Sequence, residues 1–247
     1  ATNDSELLSS GELTPEEHFQ YVLFTTKAIK DIMENNRYIR YVVVFQNWLR
    51  DAGASFDHLH KQIVGLDEWG VRLEQEVSGV RRNPHIYNQL VINYAQYTNR
   101  VVAENENATA LIDIGHTYPT IAVFSKSENL RPSEHTTKEI YDFSCLVHAI
   151  HAVLGSHIAC NEEWYYMPRD CTDKLPWHAL IKLRVNNPAG FEGGTSLHIN
   201  PLSPYELRDI IVPSLYKLRD MGKITNLRIA EECPCEPNPL KYINNHR

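Results

Sequence analysis

Nowhere in the 247 residues is there an apolar run approaching the 18 or so residues that a membrane-spanning helix needs, and no stretch reads as a secretory signal. Cysteine is sparse and odd in number, with five residues at 145, 160, 171, 233 and 235, which excludes a disulfide framework. Reduced thiols in a cytoplasm are the expectation. An excess of basic charge is also missing. Lys and Arg total 24 against 31 Asp and Glu, a formal net charge of −7, so a broad electrostatic footprint for nucleic acid is not expected. Any phosphate-bearing ligand must then be held by local geometry. What is present is ordinary for a globular protein, 43% apolar and 22% charged residues, in a chain long enough for one large or two small domains.

The most informative stretch runs from Phe45 to Val64. If its last part is extended, His58, His60 and Gln62 project from one face, and Leu59, Lys61 and Ile63 from the other. Buried imidazoles and amides must find hydrogen-bond partners, so three polar side chains in register suggest a site. A solvated edge strand and a metal-binding His-x-His pair are the alternatives. Upstream, the β-branched run Val42-Val43-Val44 leads to Asn47, and Ala52-Gly53-Ala54-Ser55 returns the chain through small residues that let backbone lie close to a ligand. Backbone N–H groups, a Ser hydroxyl and the Asn and Gln amides suit phosphate oxygens without a Lys/Arg cluster.

The residues Phe45, Asn47, Gly53, Ser55, His58, His60 and Gln62 fit, without a gap, the Phe-x-Asn, small-residue turn and His-x-His-x-Gln pattern of a known group. The chain resembles the nucleotidyltransferase branch of the histidine-triad superfamily, which contains galactose-1-phosphate uridylyltransferase, ADP-glucose phosphorylase and diadenosine tetraphosphate phosphorylase. The resemblance implies that His60 is the nucleophile, with His58 and Gln62 completing the catalytic set and Asn47, Gly53, Ala54 and Ser55 binding phosphate or nucleotide. Histidine-triad hydrolases usually carry a third His where this chain has Gln62, so transfer is implied over hydrolysis. Further along, Gly190-Phe191-Glu192 and Asn200-Pro201 resemble a segment that forms the sugar-phosphate side of the pocket in relatives, which points to Glu192 and His198. Relatives have more chain before the triad, so the early strands of the first domain are expected to be missing here, a native short form being the alternative. Zinc-bearing relatives use upstream Cys with the first triad His. With no Cys before 145 and no histidine at Leu180 or Lys182, where some relatives place a pair, neither zinc nor another metal is expected.

The fold expected from the resemblance is α+β, two histidine-triad-like halves, each a mainly antiparallel sheet packed with helices, over residues 1–105 and 106–247, divided near Glu104-Asn105-Glu106-Asn107. Thr14-Pro15-Glu16-Glu17 is a capping box with Pro in the first turn, and the apolar spacing after it predicts a helix over 14–34 with His18 partly exposed. Helices are predicted over 71–80, 86–102, 137–154 and 204–219, and strands over 38–46, 110–115, 120–124 and 177–185. Tyr87, Leu90, Val91, Tyr94 and Tyr97 form the expected packing stripe of the 86–102 helix. His148 and His151 are neighbours on a helix face, a weak metal pattern lacking a third ligand. Cys233-Pro234-Cys235 is expected to present free surface thiols.

The chemistry implied is ping-pong transfer. His60 attacks the α-phosphoryl group of a nucleoside diphosphate sugar or dinucleoside polyphosphate, and a phosphate-bearing acceptor then removes the nucleotide. Such an enzyme takes nucleotides and phosphorylated small molecules as partners, and relatives often complete each site across a homodimer. A nucleotide-binding or regulatory protein without turnover, and a dinucleotide hydrolase, are the competing readings.

Overall fold

A computed structural model describes residues 8–56 and 58–243. Its centre is an antiparallel sheet of eight strands: β1 (Tyr41–Trp48), β2 (Gln62–Leu66), β3 (Val101–Glu104), β4 (Ala108–Asp113), β5 (Thr120–Ser125), β6 (Cys160–Tyr165), β7 (His178–Leu183) and β8 (Arg228–Ile229). They lie in the order β2-β1-β6-β7-β5-β4-β3-β8. The α+β class with an antiparallel sheet and packed helices is therefore as expected. Residues 105–107, where the sequence suggests a division, connect β3 to its antiparallel partner β4, and the sheet runs unbroken through this hairpin.

Local chemistry explains the long helices. In α1 (Pro15–Asn35) the Thr14 hydroxyl accepts from the Glu17 amide at 3.2 Å while the Glu17 carboxylate accepts from the Thr14 amide at 2.8 Å. The same reciprocal box starts α4 (Thr137–Leu154) at Thr136 and Glu139, and α6 (Pro204–Asp220) at Ser203 and Glu206. Helix α4 packs against both α1 and α6, and the three cover one face of the sheet. Val42, Val44 and Trp48 of β1 point into that layer together with Trp164, Ile181 and Leu183, and all are buried. Phe143 of α4 stacks on Trp177 with ring centroids 3.8 Å apart.

On the opposite face, α2 (Val71–Arg82) covers only one end of the sheet. Glu76 of α2 accepts from the Tyr87 hydroxyl at 2.8 Å and lies 3.5 Å from His178 Nε2. Burial alone would raise the Glu76 carboxyl, but His178, Tyr87 and Arg72 outweigh it and hold it down at about 2. Beyond this cover, the strip containing Phe45, Asn47, Asn161, Glu163 and Lys182 stays open.

The helix predicted over 86–102 ends early. A π-helical segment (Tyr87–Ile92) runs into the short α3 (Asn93–Tyr97), and residues 101–104 belong to β3. A π turn holds more residues than an α turn and so rotates the buried face. Tyr87 and Ile92 are buried, whereas Leu90, Tyr94 and Tyr97 of the expected packing stripe are exposed. His18 is fully buried rather than partly exposed, because α4 lies across its turn of α1. Cys233 is buried and Cys235 half-buried, not surface thiols, and burial pushes the Cys233 thiol up to about 12. Helix α5 (Gly190–Thr195) is short and exposed. Among the described residues, no helix is long and apolar enough to cross a membrane.

Candidate active site

Register fixes which side chains share the open face. Phe45 pairs with Gln62 and Asn47 with Asn161, and directly opposed residues of an antiparallel ladder project to the same side. Gln62, Phe45, Asn47, Asn161 and Glu163 therefore form one strip. Lys61 goes the other way, into the helical layer, where its ammonium pairs with the buried Glu162 carboxylate. Lys61 and Gln62 thus take opposite sides of the sheet, and regular pairing starts at Gln62, with residues 58–61 leading into it outside any strand and His58 at a bend.

His60 is half-buried, and its imidazole stacks on Phe56 with centroids 4.2 Å apart. Its Nδ1 lies 2.7 Å from the carbonyl oxygen of His58. A carbonyl only accepts, so Nδ1 carries the proton, and in the neutral ring the lone pair sits on Nε2. His58 thus meets His60 through its backbone, its own ring being half-buried.

The small-residue turn is built as the sequence suggests. Residues Arg50–Ala52 form a 3₁₀ turn closed by Gly53, whose φ of +84° is in the left-handed region that favours glycine. A Cβ at Gly53 would meet only Asn47 Nδ2, at 3.9 Å, so backbone conformation rather than space demands the glycine. Ala54 is buried under the turn, its amide donating to the Leu49 carbonyl at 3.2 Å, and Ser55 is exposed beyond it.

Asn161 ties this turn to the sheet. Its Nδ2 donates to Asn47 Oδ1 and to the Ala52 carbonyl, both at 2.7 Å, and its Oδ1 accepts from Arg184 Nη1 at 3.1 Å. Next to it, Glu163 accepts from Lys182 Nζ at 2.6 Å and from the Tyr165 hydroxyl at 2.7 Å. Asn161, Glu163, Lys182 and Arg184 escaped the sequence reading. The available signal was the polar alternation in Cys160-Asn161-Glu162-Glu163-Trp164, which has the period of a strand. A groove of about 330 Å³ runs along the strip, walled by Val43, Phe45, Asn47, Trp69, Arg72 and Tyr165 among others. Of the residues predicted for the site, Asn47 is the one that lines this groove.

Glu192 and His198 are placed differently. Glu192 is in α5, where the Ala189 amide donates to its carboxylate at 2.9 Å and holds that carboxyl below its usual range. His198 follows in the exposed segment after α5. Neither lines the groove beside β1.

Behind the sheet, His18, His148 and His151 cluster with centroids of 5.2 Å (His18 to His148) and 6.5 Å (His18 to His151). One nitrogen of each ring meets a protein group, whereas His18 Nε2 and His148 Nδ1 are buried without a partner. His18 Nδ1 meets Ser144 Oγ at 2.7 Å, His148 Nε2 donates to the Leu13 carbonyl at 2.7 Å, and His151 Nε2 meets Glu162 at 2.8 Å. The described residues contain no group of three or more His, Cys, Asp or Glu arranged to hold a metal ion.

An antiparallel sheet packed with helices in this way is the fold of the uridylyltransferase-like class of proteins. The chain belongs to the family described as domain of unknown function (DUF4921), which matches residues 1–242. It is similar to an ADP-glucose phosphorylase of Arabidopsis thaliana, 24% identical over 195 residues that make up 75% of this chain and 55% of that protein. The chain thus spans about half the length of the curated relative it matches. A crystal structure of an Arabidopsis thaliana ADP-glucose phosphorylase with bound ADP-glucose superposes with a TM-score of 0.73 at 19% identity, covering 83% of this chain and 68% of that one. The structure of a uridylyltransferase mutant gives a TM-score of 0.73 at 19% identity, covering 87% and 75%.

Proposed function

We propose that the protein is a nucleotidyltransferase or nucleotide phosphorylase acting on nucleoside diphosphate sugars or dinucleoside polyphosphates through a covalent nucleotidyl-histidine at His60. The observation that carries this reading is the His60 Nδ1 hydrogen bond to the His58 carbonyl, which leaves Nε2 as the nucleophilic atom in the neutral ring. Similarity to an ADP-glucose phosphorylase adds support for the reaction class.

In the first half-reaction the Nε2 lone pair forms a bond to the α-phosphorus, the bridging P–O bond breaks, and its electron pair leaves on the departing phosphate. In the second, an oxygen of an incoming phosphate attacks the same phosphorus, and the P–N electrons return to Nε2. Gln62, on the same face as Asn47, donates an amide N–H to the oxygens on which charge accumulates, a stabilisation worth a few kcal/mol per donor, about 3 in typical cases. Because an amide does not activate water, Gln62 also preserves the intermediate for a phosphate acceptor. Ser55, exposed beyond the turn, donates its hydroxyl to the phosphates, and the aromatic groove wall of Phe45 and Trp69 takes the nucleoside. The Gly53 and Ala54 amides shape the turn by donating to the Arg50 and Leu49 carbonyls and so are not phosphate donors. Asn47 orients the turn through Asn161. Glu192 and His198 serve the sugar-phosphate side, and a second copy of the chain is the means of bringing that exposed segment to the groove.

The test is incubation with a radiolabelled nucleotide sugar or dinucleoside polyphosphate. Acid-labile, base-stable label is expected on the wild-type protein and not on His60→Asn; label that survives this substitution overturns the assignment. Turnover is expected to require phosphate or a sugar phosphate, and equal turnover in its absence would mark a hydrolase.

A further inference from the structure

A second cavity, about 170 Å³ in volume, opens on the same strip and shares Arg72 and Glu163 with the groove. Its walls are the loop 115–118, Asn161 and Glu163 of β6, Lys182 of β7, Arg184, and Arg72 from α2. Three of these side chains, Arg72, Lys182 and Arg184, are basic and one, Glu163, is a carboxylate. That local excess stands against a net charge of −7 for the chain, so it does not reflect a generally basic surface.

The cations are not equivalent. Lys182 is engaged by Glu163 at 2.6 Å, and Arg72 by Glu76 at 3.2 Å. Arg184 has no carboxylate within ion-pair distance among the described residues. Its guanidinium lies over the Tyr118 ring, 4.4 Å from the centroid, and Nη1 donates to Asn161 Oδ1. Its Nε is buried and has no hydrogen-bond partner. A buried N–H of a cation left unpaired is costly, and the forked guanidinium matches the oxygens of a tetrahedral anion. The cavity is smaller than the ~300 Å³ at which drug-sized ligand pockets begin, so it suits a phosphate group and not a nucleoside. Through Asn161, an anion seated on Arg184 abuts the residue that holds the Asn47 and Ala52 turn.

We propose that this cavity is a phosphate subsite anchored by Arg184, which seats the dianionic acceptor, inorganic phosphate or a phosphate monoester, beside the nucleotide groove. The acceptor role rests on the nucleotidyl-transfer reading, whereas the binding itself does not.

Calorimetric titrations of the full chain with inorganic phosphate, with a hexose 1-phosphate and with a mononucleotide test both parts. Wild type is expected to bind one or both of the first two ligands, and Arg184→Gln to lose about tenfold or more in that affinity while mononucleotide affinity changes less than about twofold. Arg184→Lys, which keeps the charge but not the fork, is expected to fall between them. Tighter binding of inorganic phosphate than of the hexose phosphate assigns the site to free phosphate, and the reverse order assigns it to the monoester. Lys182→Met, on the same wall, is expected to weaken phosphate as well and guards against misfolding of a single variant. Equal phosphate affinity in wild type and Arg184→Gln, or no phosphate binding by wild type, overturns the subsite. Absence of His60 label together with Arg184-dependent phosphate binding would instead overturn the transfer reading and leave the subsite standing.

Discussion

Lys61 and Glu162 meet in an ion pair whose side chains are 2% and 1% exposed, directly behind the open strip to which the neighbouring residue, Gln62, belongs. The Glu162 carboxylate also accepts from Trp164 Nε1 and faces His151 Nε2 at 2.8 Å, while the Lys61 ammonium lies over the rings of Tyr21 and Trp164. Burial would raise the Glu162 carboxyl, but Lys61 and His151 hold it well below the usual carboxylate range. The segment carrying His60 is thereby pinned from behind, one residue from the His60 ring. Removing one partner of a buried pair leaves an uncompensated charge, at a cost of about 3 kcal/mol or more. Lys61→Met is expected to lower the urea midpoint by that equivalent and to slow formation of the His60 label. Lys61→Met combined with Glu162→Gln should recover most of the stability. An unchanged midpoint in Lys61→Met would show that the pair does not anchor the segment.

A second consequence of the hidden polar layer is acid sensitivity. Burial, reinforced by repulsion from His148, pushes His18 well below the ordinary imidazole value, and burial likewise lowers His148. Lys61 and His151 add to the depression of His18, and Glu162 opposes it. With native values depressed, the unfolded chain binds protons at higher pH than the folded one. The stability these groups contribute is fully present above about pH 6.5, their unfolded value, and is lost as pH falls from there toward the folded values. Urea midpoints at pH 7 and pH 5 should therefore differ, and His18→Gln, which removes one of the titrating rings, should narrow the difference. Parallel pH dependences in the two proteins would exclude His18 as a source.

The residues that explain this layer also show what could be read from the sequence. The α1, α4 and α6 helices announce themselves because Thr14-Pro15-Glu17, Thr136-Glu139 and Ser203-Pro204-Glu206 satisfy their first-turn amides locally. The turn at Gly53 and the alternation about Lys61 are equally local and equally legible. Strand β6 was not, because its buried face carries Cys160 and Glu162 as well as Trp164, and a buried glutamate makes sense only once Lys61 and His151 arrive from elsewhere in the chain. Asn161 and Arg184 were missed for the same reason. Their roles exist only after β6 pairs with β1 and β7, and the Asn161–Asn47 contact alone joins residues 114 apart in the chain.

Asn161 is where the two halves of the strip are joined, and its chemistry makes the joint testable. Its NH₂ group supplies both hydrogens to acceptors, Asn47 Oδ1 and the Ala52 carbonyl, while its oxygen accepts from Arg184. An aspartate at this place has oxygens where donors are needed, facing two acceptor oxygens, yet it pairs strongly with Arg184. Asn161→Asp should therefore loosen the Gly53 turn and neutralise the anion site together. Asn161→Ala removes the same two donated bonds but frees Arg184, so the turn loosens while a cation still faces the cavity. Stability should fall by about 1–2 kcal/mol in Asn161→Ala, the worth of the lost bonds. Formation of label on His60 should slow in both variants, because both release Ala52 and Asn47. Inorganic phosphate affinity should drop steeply in Asn161→Asp and change little in Asn161→Ala. Equal phosphate affinities in the two variants would mean that Arg184 does not read the charge at position 161, and the coupling between subsite and turn would have to be abandoned.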